Sequence, residues 1–293
     1  MYFLSKLIDG VSLGSIYAII ALGYTMVYGI AKMLNFAHGD VIMIGGYVCF
    51  VAMNNAGLSP VVALAMAMVV CTFLGIVIER LAYKPLRSAS SLAVLITAIG
   101  VSYFLQSIAQ IIWSSSKKSF SVDFSFANIT LFGGRLTVDG VAVCTIAACV
   151  VIMVLLSLFI GKTRTGKAMR AVAEDKSAAE LMGISVNRTI SVTFAIGSAL
   201  AAIAGLLFCA KTSTLSPTTG SLPGIKAFTA AVFGGIGSIP GALVGGVLLG
   251  VIEIFSAEYI SDQLQSAVVF AVLIVILLVK PNGLLGKKVT EKV

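Results

Sequence analysis

Seven long stretches of the chain contain no aspartate, glutamate, lysine or arginine, and this pattern limits the fold more than any other feature of the sequence. The stretches are residues 10–31, 41–78, 88–116, 140–161, 189–210, 227–252 and 263–279. A helix of about 20 apolar residues crosses the hydrocarbon core of a bilayer. Only 11% of the residues are charged and the mean hydropathy is +1.07. These values exclude a soluble domain, a disordered chain and a β-barrel. The sequence predicts an all-α integral membrane protein, a polytopic helical bundle with one transmembrane domain over residues 1–293.

Two of these stretches do not correspond to single helices, because one is too long and the other is interrupted. Residues 41–78 exceed a single crossing, and the turn-forming segment 54–60 divides them into two helices. Residues 227–252 contain the glycine-rich segment 234–241, which can break a helix. We therefore expect eight or nine transmembrane crossings, with a broken glycine-rich helical region near 227–252.

The net charge of +8 indicates orientation in the membrane. Most of the 20 basic residues lie in three segments, 79–87, 162–188 and 280–293. Because cytoplasmic loops of membrane proteins are rich in Lys and Arg, these segments and the C-terminus are predicted to be cytoplasmic. Two segments are then predicted to lie outside: 113–139 and the acidic residues within 253–262. The parity of the crossings places the N-terminus outside as well. This topology explains the positive net charge, so no nucleic-acid partner is predicted. The predicted location is the plasma (inner) membrane, which the chain crosses several times.

The predicted cytoplasmic segment 162–188 has the pattern of a short amphipathic helix. Thr165 is placed to cap its N-terminus, and Gly183 its C-terminus. Two (i, i+4) ion pairs fit the same helix: Arg170 with Glu174 and Lys176 with Glu180. Its apolar residues fall mostly on one side: Met169, Val172, Ala173, Ala179 and Met182. Such a helix either offers a surface to a partner protein or lies on the lipid headgroups.

Glycines recur at four-residue intervals near the predicted break. The set comprises Gly237, Gly241, Gly245, Gly246 and Gly250. Small residues at this spacing let helix backbones approach closely, so the set is predicted to serve helix packing, with the lining of a partner interface or pathway as the alternative. At the break itself, free N–H and carbonyl groups near Gly234, Gly235 and Gly237 could meet the carboxylate and ammonium groups of a substrate. A tight glycine hairpin explains the same residues.

Four polar residues in or beside apolar stretches are candidates for a transport pathway or gate: Asn35, His38, Thr97 and Gln106. Polar side chains in a membrane span usually face the protein interior, where they could hydrogen-bond a passing zwitterion. Anchoring and helix–helix hydrogen bonds are the alternatives. The single histidine has only Asp40 as an acidic neighbour, so no metal site is predicted. The five cysteines lie in apolar stretches and are interpreted as small buried hydrophobic residues.

The segment Ser177–Gly183 resembles the E-A-A-x-x-x-G loop by which permeases of the ABC importer class dock on their ATPase subunits, with Ser177 in place of the Glu. The docking role is carried over to Ser177, Ala178, Ala179, Glu180 and Gly183. The whole chain resembles the LivH family of branched-chain amino acid permeases. This resemblance covers nearly the full length, in ordered blocks at residues 23–29, 35–39, 79–87, 170–175 and 226–241.

The resemblance implies the permease subunit of an ATP-driven importer. In such systems a second related permease completes the membrane pathway, two ABC ATPases bind below it, and an extracytoplasmic binding protein delivers leucine, isoleucine or valine. The sequence contains no G-x-x-x-x-G-K-[ST] phosphate loop, which agrees with ATP and Mg bound by the partner ATPases and with no cofactor in this chain. The chain is therefore expected to be a transport subunit and not an enzyme, since no catalytic motif is present.

Two alternatives are kept open. Importers of urea or short amides have similar permeases, and the sequence does not separate them from amino-acid importers. A secondary transporter driven by an ion gradient usually needs an ionisable group near the midplane of the bilayer. The seven uncharged stretches offer none, which disfavours proton coupling.

Overall fold

The computed structural model describes residues 2–87, 89–122, 124–131 and 136–286. Predictions that fall elsewhere lie outside the described residues. They include the basic residues Lys287, Lys288 and Lys292 of the predicted cytoplasmic C-terminal segment, and parts of the predicted extracytoplasmic segment 113–139. Helices dominate the described residues, which confirms the predicted all-α class.

Eleven α-helices occur in the described part of the chain. They are α1 (Tyr2–Ala31), α2 (His38–Asn54), α3 (Pro60–Ile78), α4 (Ser91–Trp113), α5 (Gly140–Lys162), α6 (Arg164–Glu174), α7 (Lys176–Leu181), α8 (Val186–Thr212), α9 (Ser221–Gly234), α10 (Ile239–Tyr259) and α11 (Gln265–Val279). Helix α3 continues into a π-helical turn, Glu79–Tyr83, and a 3-10 turn, Lys84–Leu86; a further 3-10 turn covers Ser125–Ala127. Four very short strands form two antiparallel pairs: β1 (Lys118–Ser119) with β4 (Thr214–Leu215), and β2 (Ile129–Leu131) with β3 (Leu136–Val138).

Six of the described helical segments are long and apolar enough to cross a membrane. They are Tyr2–Ala31, Pro60–Leu86, Ser91–Trp113, Gly140–Lys162, Val186–Thr212 and Ile239–Tyr259. The remaining helices of the apolar stretches are shorter, with 17 residues in α2, 14 in α9 and 15 in α11. Helix α9 ends at Gly234 and α10 begins at Ile239, so the helical path is interrupted inside the glycine-rich segment where the sequence predicts a break.

The chain divides into two compact units. Unit 1 comprises Met1–Thr25, Phe124–Met153 and Lys226–Val293, and unit 2 comprises Met26–Asp123 and Val154–Ile225. Helices α1, α5 and α9 contribute residues to both. Each unit therefore gathers segments that are distant in the sequence.

Unit 2 is centred on α2, which is buried along most of its length because α3 and α8 pack against it. Small residues allow these helices to approach at backbone distance. A Cβ on Gly45 would press on the backbone of Ala202 in α8, and one on Gly205 would overlap the carbonyl oxygen of Ile42. A helix that is apolar on every side and enclosed in this way belongs to the interior of a bundle.

In unit 1, helices α1 and α10 touch through their backbones. A Cβ on Gly246 would meet the backbone of Ala18, and one on Gly250 would overlap the backbone of Gly14. Lipid provides no hydrophobic force between helices, so this contact depends on the absence of side chains at the crossing. Gly246 and Gly250, two of the five glycines predicted to serve helix packing, therefore face α1.

The other predicted packing glycines lie on the α9 side of α10. A Cβ on Gly241 would meet the carbonyl group of Gly234, and one on Gly245 would overlap the carbonyl oxygen of Ala230. Gly237 differs from the prediction, because nothing lies within 4 Å of the position that a Cβ would occupy. Its φ of +93° shows instead that this glycine forms the turn between α9 and α10.

A buried ion pair joins α9 to α10 in unit 1. Lys226 Nζ lies 2.8 Å from Glu253 Oε1, and the two residues are only 6% and 5% exposed. The hydroxyl of Tyr17 in α1 donates to the same carboxylate oxygen at 3.2 Å. Glu253 lies within α10, which continues to Tyr259, and its position outside the membrane stays a prediction. A charge can lie inside this helix because its partner neutralises it.

Removing one member of this pair should leave the other charge buried and unpaired. We expect Glu253→Ala to lower the free energy of unfolding by about 3–5 kcal/mol, measured by thermal or denaturant unfolding of the purified protein in detergent. The double variant Lys226→Met, Glu253→Leu should recover most of that loss. A matched control is Glu258→Ala, which breaks the partly exposed pair of Glu258 with Lys6 and should cost about 0–1 kcal/mol. Equal losses at both glutamates would contradict this account.

Candidate functional site

The predicted docking segment forms two helices, α6 and α7, in place of the single predicted helix. Asp175 separates them: its backbone is extended, and its carboxylate accepts the N–H of Ala178 at 2.9 Å, which caps α7. Helix α6 is capped by Thr163, whose hydroxyl accepts the N–H of Gly166 at 3.0 Å. The prediction that Thr165 caps the helix is therefore wrong by two residues, because Thr163 is the residue whose backbone lies outside the helix.

The two predicted ion pairs of this segment do not form among the described residues. Arg170 donates instead to the carbonyl oxygen of Gly161 at 3.3 Å. Lys176 Nζ donates at 2.9 Å to the carbonyl oxygen of Ala31, the last residue of α1. Burial lowers the pKa of Lys176, and the positive charges of Arg87 and Lys32 lower it further. Lys176 thus fastens α7 to the end of α1.

The apolar residues of the segment divide between the interior and the solvent. Met169, Val172 and Ala179 are buried, whereas Met182 is 82% exposed and Leu181 is 89% exposed. The chain turns sharply after them, because Gly183 has a φ of +78° and the N–H of Ile184 bonds back to the carbonyl oxygen of Ala179 at 3.0 Å. Met182 therefore lies apart from the other residues of the predicted apolar side.

These residues define an exposed patch that we call the α7 surface. It comprises Ser177, Ala178, Glu180, Leu181, Met182 and Gly183. Of the predicted docking residues, only Ala179 is turned inward. Two large apolar side chains held on a short capped helix, with small residues beside them, form a surface suited to a groove in another protein.

A second constellation lies inside unit 2, around Asp40 in the first turn of α2. The Nε2 atom of Gln106 in α4 lies 2.9 Å from Asp40 Oδ1, and 3.2 Å from the hydroxyl oxygens of both Ser102 and Ser221. Asp40 is 1% exposed, and within the described residues it forms no ion pair with a Lys or Arg. We call these four residues the Asp40 cluster. A buried carboxylate without a cationic partner can accept an ammonium group.

Two glycines bring the elements of the Asp40 cluster together. The backbones of Gly39 and Gly220 approach so closely that a Cβ on either would overlap the carbonyl group of the other. The contact joins the start of α2 to the residue just before α9. Ser221 is thereby placed beside Gln106.

The other predicted pathway residues of unit 2 lie apart from this cluster or are engaged elsewhere. Asn35 accepts a hydrogen bond from the hydroxyl of Tyr83 at 2.9 Å, and His38 is buried at the start of α2. Thr97 is half-buried in α4, nine residues before Gln106 and so about 13 Å from it along the helix. The structure therefore brings Gln106 to Asp40 and does not bring Thr97 to either.

Gly234, Gly235 and Gly237 lie at the break between α9 and α10, in unit 1. The last carbonyl oxygens of α9 accept hydrogen bonds from the segment after α11: Leu284 N–H bonds to Phe233 and Leu285 N–H to Gly234, each at 2.9 Å. With these carbonyl groups occupied, the geometry is that of a glycine hairpin closed by the chain itself. A pathway role for the three glycines stays a prediction.

Sequence reasoning missed two groups of residues that the structure makes prominent. Ser102 and Ser221 were not singled out, and Asp40 was named only as a neighbour of His38. An acidic residue that opens an apolar helix was the available signal for Asp40, whereas no local pattern links it to Gln106. Leu181 was not assigned to the predicted apolar side, although its place two residues before the capping Gly183 was a signal that it lies at the exposed end of the helix.

The described residues combine apolar helices of membrane-spanning length, close helix contacts at glycines within each unit, and a small exposed apolar patch on a capped helix. Comparison with known proteins gives the family. Residues 6–277 match the family model described as branched-chain amino acid transport system / permease component. The chain belongs to this family.

Individual relatives match over the full length. The chain is 43% identical over 304 residues to the high-affinity branched-chain amino acid transport system permease protein BraD of Pseudomonas aeruginosa, covering 100% of this chain and 98% of BraD. It is 43% identical over 311 residues to the permease protein LivH of Escherichia coli K12, with the same coverage. Among solved structures it is similar to PsaBC from Streptococcus pneumoniae in complex with Fab, with a TM-score of 0.48, 14% identity, and coverage of 94% of this chain and 91% of that chain.

The close approach of Gly39 to Gly220 can be tested with a matched pair of variants. We expect Gly39→Ala to destabilise the protein by about 1–3 kcal/mol, because the new methyl group meets backbone that cannot move aside. Gly100→Ala is the control: this glycine lies within α4 and faces open space, so the variant should be stabilised by about 0.5–1 kcal/mol. Unfolding in detergent measures both, and the same sign in both variants would contradict the contact.

Proposed function

We propose that the chain is the transmembrane permease subunit of an ATP-binding-cassette importer, which moves leucine, isoleucine and valine across the plasma membrane with energy from ATP hydrolysed by partner subunits. The observation that carries this proposal is the full-length match, at 43% identity, to two permeases of branched-chain amino acid transport systems. The match extends over all of the helices described above.

The importer assembles from this chain, a second related permease, two ABC ATPases and an extracytoplasmic amino-acid-binding protein. ATP and Mg bind to the ATPases. Residues 161–167 follow the start of a phosphate-loop pattern, but Ala168 replaces the required Ser or Thr. The segment also continues an apolar helix, α5, where a phosphate loop follows a β-strand. Both features support a chain that depends on its partners for ATP.

The basic segments 79–87 and 162–188 lie on the cytoplasmic side, and the C-terminus lies there too. A hydrogen bond from Arg87 to Asn187 supports a common side for the two segments. The chain crosses the membrane eight or nine times, and α9, at 14 residues or about 21 Å, is the short half of the broken region.

The α7 surface docks on an ATPase. Ser177 removes the carboxylate that other docking loops carry at this position, so contact relies on Leu181 and Met182, with the small residues Ala178 and Gly183 beside them and Glu180 at the edge. Ala179 is the buried residue of α7 and packs the helix against the protein. The hydrogen bond from Lys176 to Ala31 provides a route by which movement of α7 reaches α1.

Substrate passes the Asp40 cluster, where the carboxylate of Asp40, beside Gln106, meets the ammonium group of the amino acid. An amino acid is a zwitterion, so a pathway through apolar helices needs at least one buried group that attracts its charge. Asn35 and His38 support the loop that precedes Asp40, and Thr97 lies further along α4.

Transport can be tested with the complete importer in proteoliposomes. We expect labelled leucine to accumulate only when ATP and the binding protein are both present. Labelled urea, under the same conditions, should not accumulate. Uptake by this chain alone, driven by an ion gradient without ATP, would overturn the proposal in favour of a secondary transporter.

Docking can be tested separately from transport. The double variant Leu181→Ser, Met182→Ser should reduce recovery of the ATPase with the permease by about tenfold or more, because exposed large side chains at the centre of an interface contribute most of its affinity. The matched control is Arg164→Ser, Lys167→Ser, which alters two exposed residues of the neighbouring α6. If both double variants retain the ATPase equally, the α7 surface is not the docking site.

A further inference from the structure

A basic cavity of about 520 Å³ opens in unit 2 between the end of α3 and the start of α8. Three cationic side chains line it, Arg80, Lys84 and Arg188, together with the apolar residues Ile76, Val192 and Ala195. The positive charges come from two of the three basic segments, 79–87 and 162–188.

The three cations have no acidic partner within the described residues. The ion pairs there join Lys6 to Glu258, Arg87 to Glu79 and Lys226 to Glu253. Glu79 is the acidic residue nearest in the chain to Arg80, and it is already engaged. A concentration of unpaired positive charge at one opening attracts an anion.

Hydrogen bonds that involve the polar lining residues Asn187 and Ser191 hold the cavity in shape. Arg87 donates to Glu79 and to Asn187, and the hydroxyl of Ser191 donates to Glu79 at 2.6 Å. The end of α3 is therefore tied to the first turns of α8. The amino end of α8, capped by Ser185, adds its partial positive charge to the same opening.

The apolar residues are displaced from the cations along both helices. Ile76 lies about one turn before Arg80, which follows α3, and Val192 and Ala195 follow Arg188 by about one and two turns, so Ala195 is roughly 10 Å along α8 from Arg188. Both helices are long and apolar enough to span a membrane. The ligand that fits therefore carries an anionic group at one end and hydrocarbon at the other.

We propose that this cavity binds the headgroup of an anionic phospholipid, with the phosphate among Arg80, Lys84 and Arg188 and the first part of an acyl chain against Ile76, Val192 and Ala195. This inference rests on the proposed cytoplasmic side of the two basic segments, because basic pockets between membrane helices on that side are suited to such headgroups. A free phosphate ion satisfies the cations and leaves the apolar part uncovered, and an acidic segment of a soluble protein does the same. The combined chemistry selects the lipid.

The test measures which lipids stay bound to the protein. The full-length chain, purified with its partner subunits, is incorporated into nanodiscs of equal parts phosphatidylglycerol and phosphatidylcholine, then extracted in detergent, and the ratio of retained lipids is measured by mass spectrometry. We expect phosphatidylglycerol to be enriched. Each removed cation should reduce the enrichment about fivefold, so Arg80→Gln, Lys84→Gln, Arg188→Gln together reduce it by roughly a hundredfold. Single variants give graded losses should the triple variant not fold.

Two further variants separate the outcomes. The matched control Lys162→Gln, Arg164→Gln, Lys167→Gln removes the same charge from exposed positions outside the cavity and should keep the enrichment. Ala195→Trp fills the apolar part and should displace the lipid although all three cations stay. Enrichment that survives the cavity variants overturns the proposal. The proposal is also overturned if inorganic phosphate displaces phosphatidylglycerol while Ala195→Trp has no effect. It is overturned as well if the triple variant loses the ATPase but keeps its lipid enrichment.

Discussion

In lipid no hydrophobic effect draws one helix toward another, so the structure depends on how closely helix backbones can approach. Glycines provide that approach in each unit. Gly246 and Gly250 let α10 meet α1 in unit 1, while in unit 2 the start of α2 meets the residue before α9 through Gly39 and Gly220. The latter contact also determines polar chemistry, because Asp40 follows Gly39 directly and is held 2.9 Å from Gln106.

Buried charge changes the comparison with ion-driven transport. The uncharged stretches predict spans without ionisable groups, yet α9 begins five residues before Lys226 and α10 continues six residues beyond Glu253, so both charges lie inside helices. Because Lys226 and Glu253 pair with each other, the pair has no net charge that could couple transport to an ion. Asp40 is different, since it has no ionic partner within the described residues. The case for ATP as the energy source therefore rests on the family and not on a lack of charge in the helices.

The sequence predicts which segments are helical much better than it predicts where they end or what they touch. The predicted interruption between Gly234 and Gly241 is present, because glycines with positive φ form that turn. The docking segment was predicted as one helix, since nothing in the local pattern shows that Asp175 ends α6 and caps α7. The bond between Asp40 and Gln106 joins residues 66 positions apart. Periodicity is local, whereas such contacts depend on which helices become neighbours.

The cavity and the docking segment share one electrostatic environment in unit 2. Arg87 bonds to Glu79 and to Asn187, which lines the cavity, and its charge is also one of the two that lower the pKa of Lys176 after burial. A phosphate among the cavity's cations would offset part of that positive field. Arg87 is thus the residue through which an anion in the cavity and Lys176, which donates to Ala31, would act on each other.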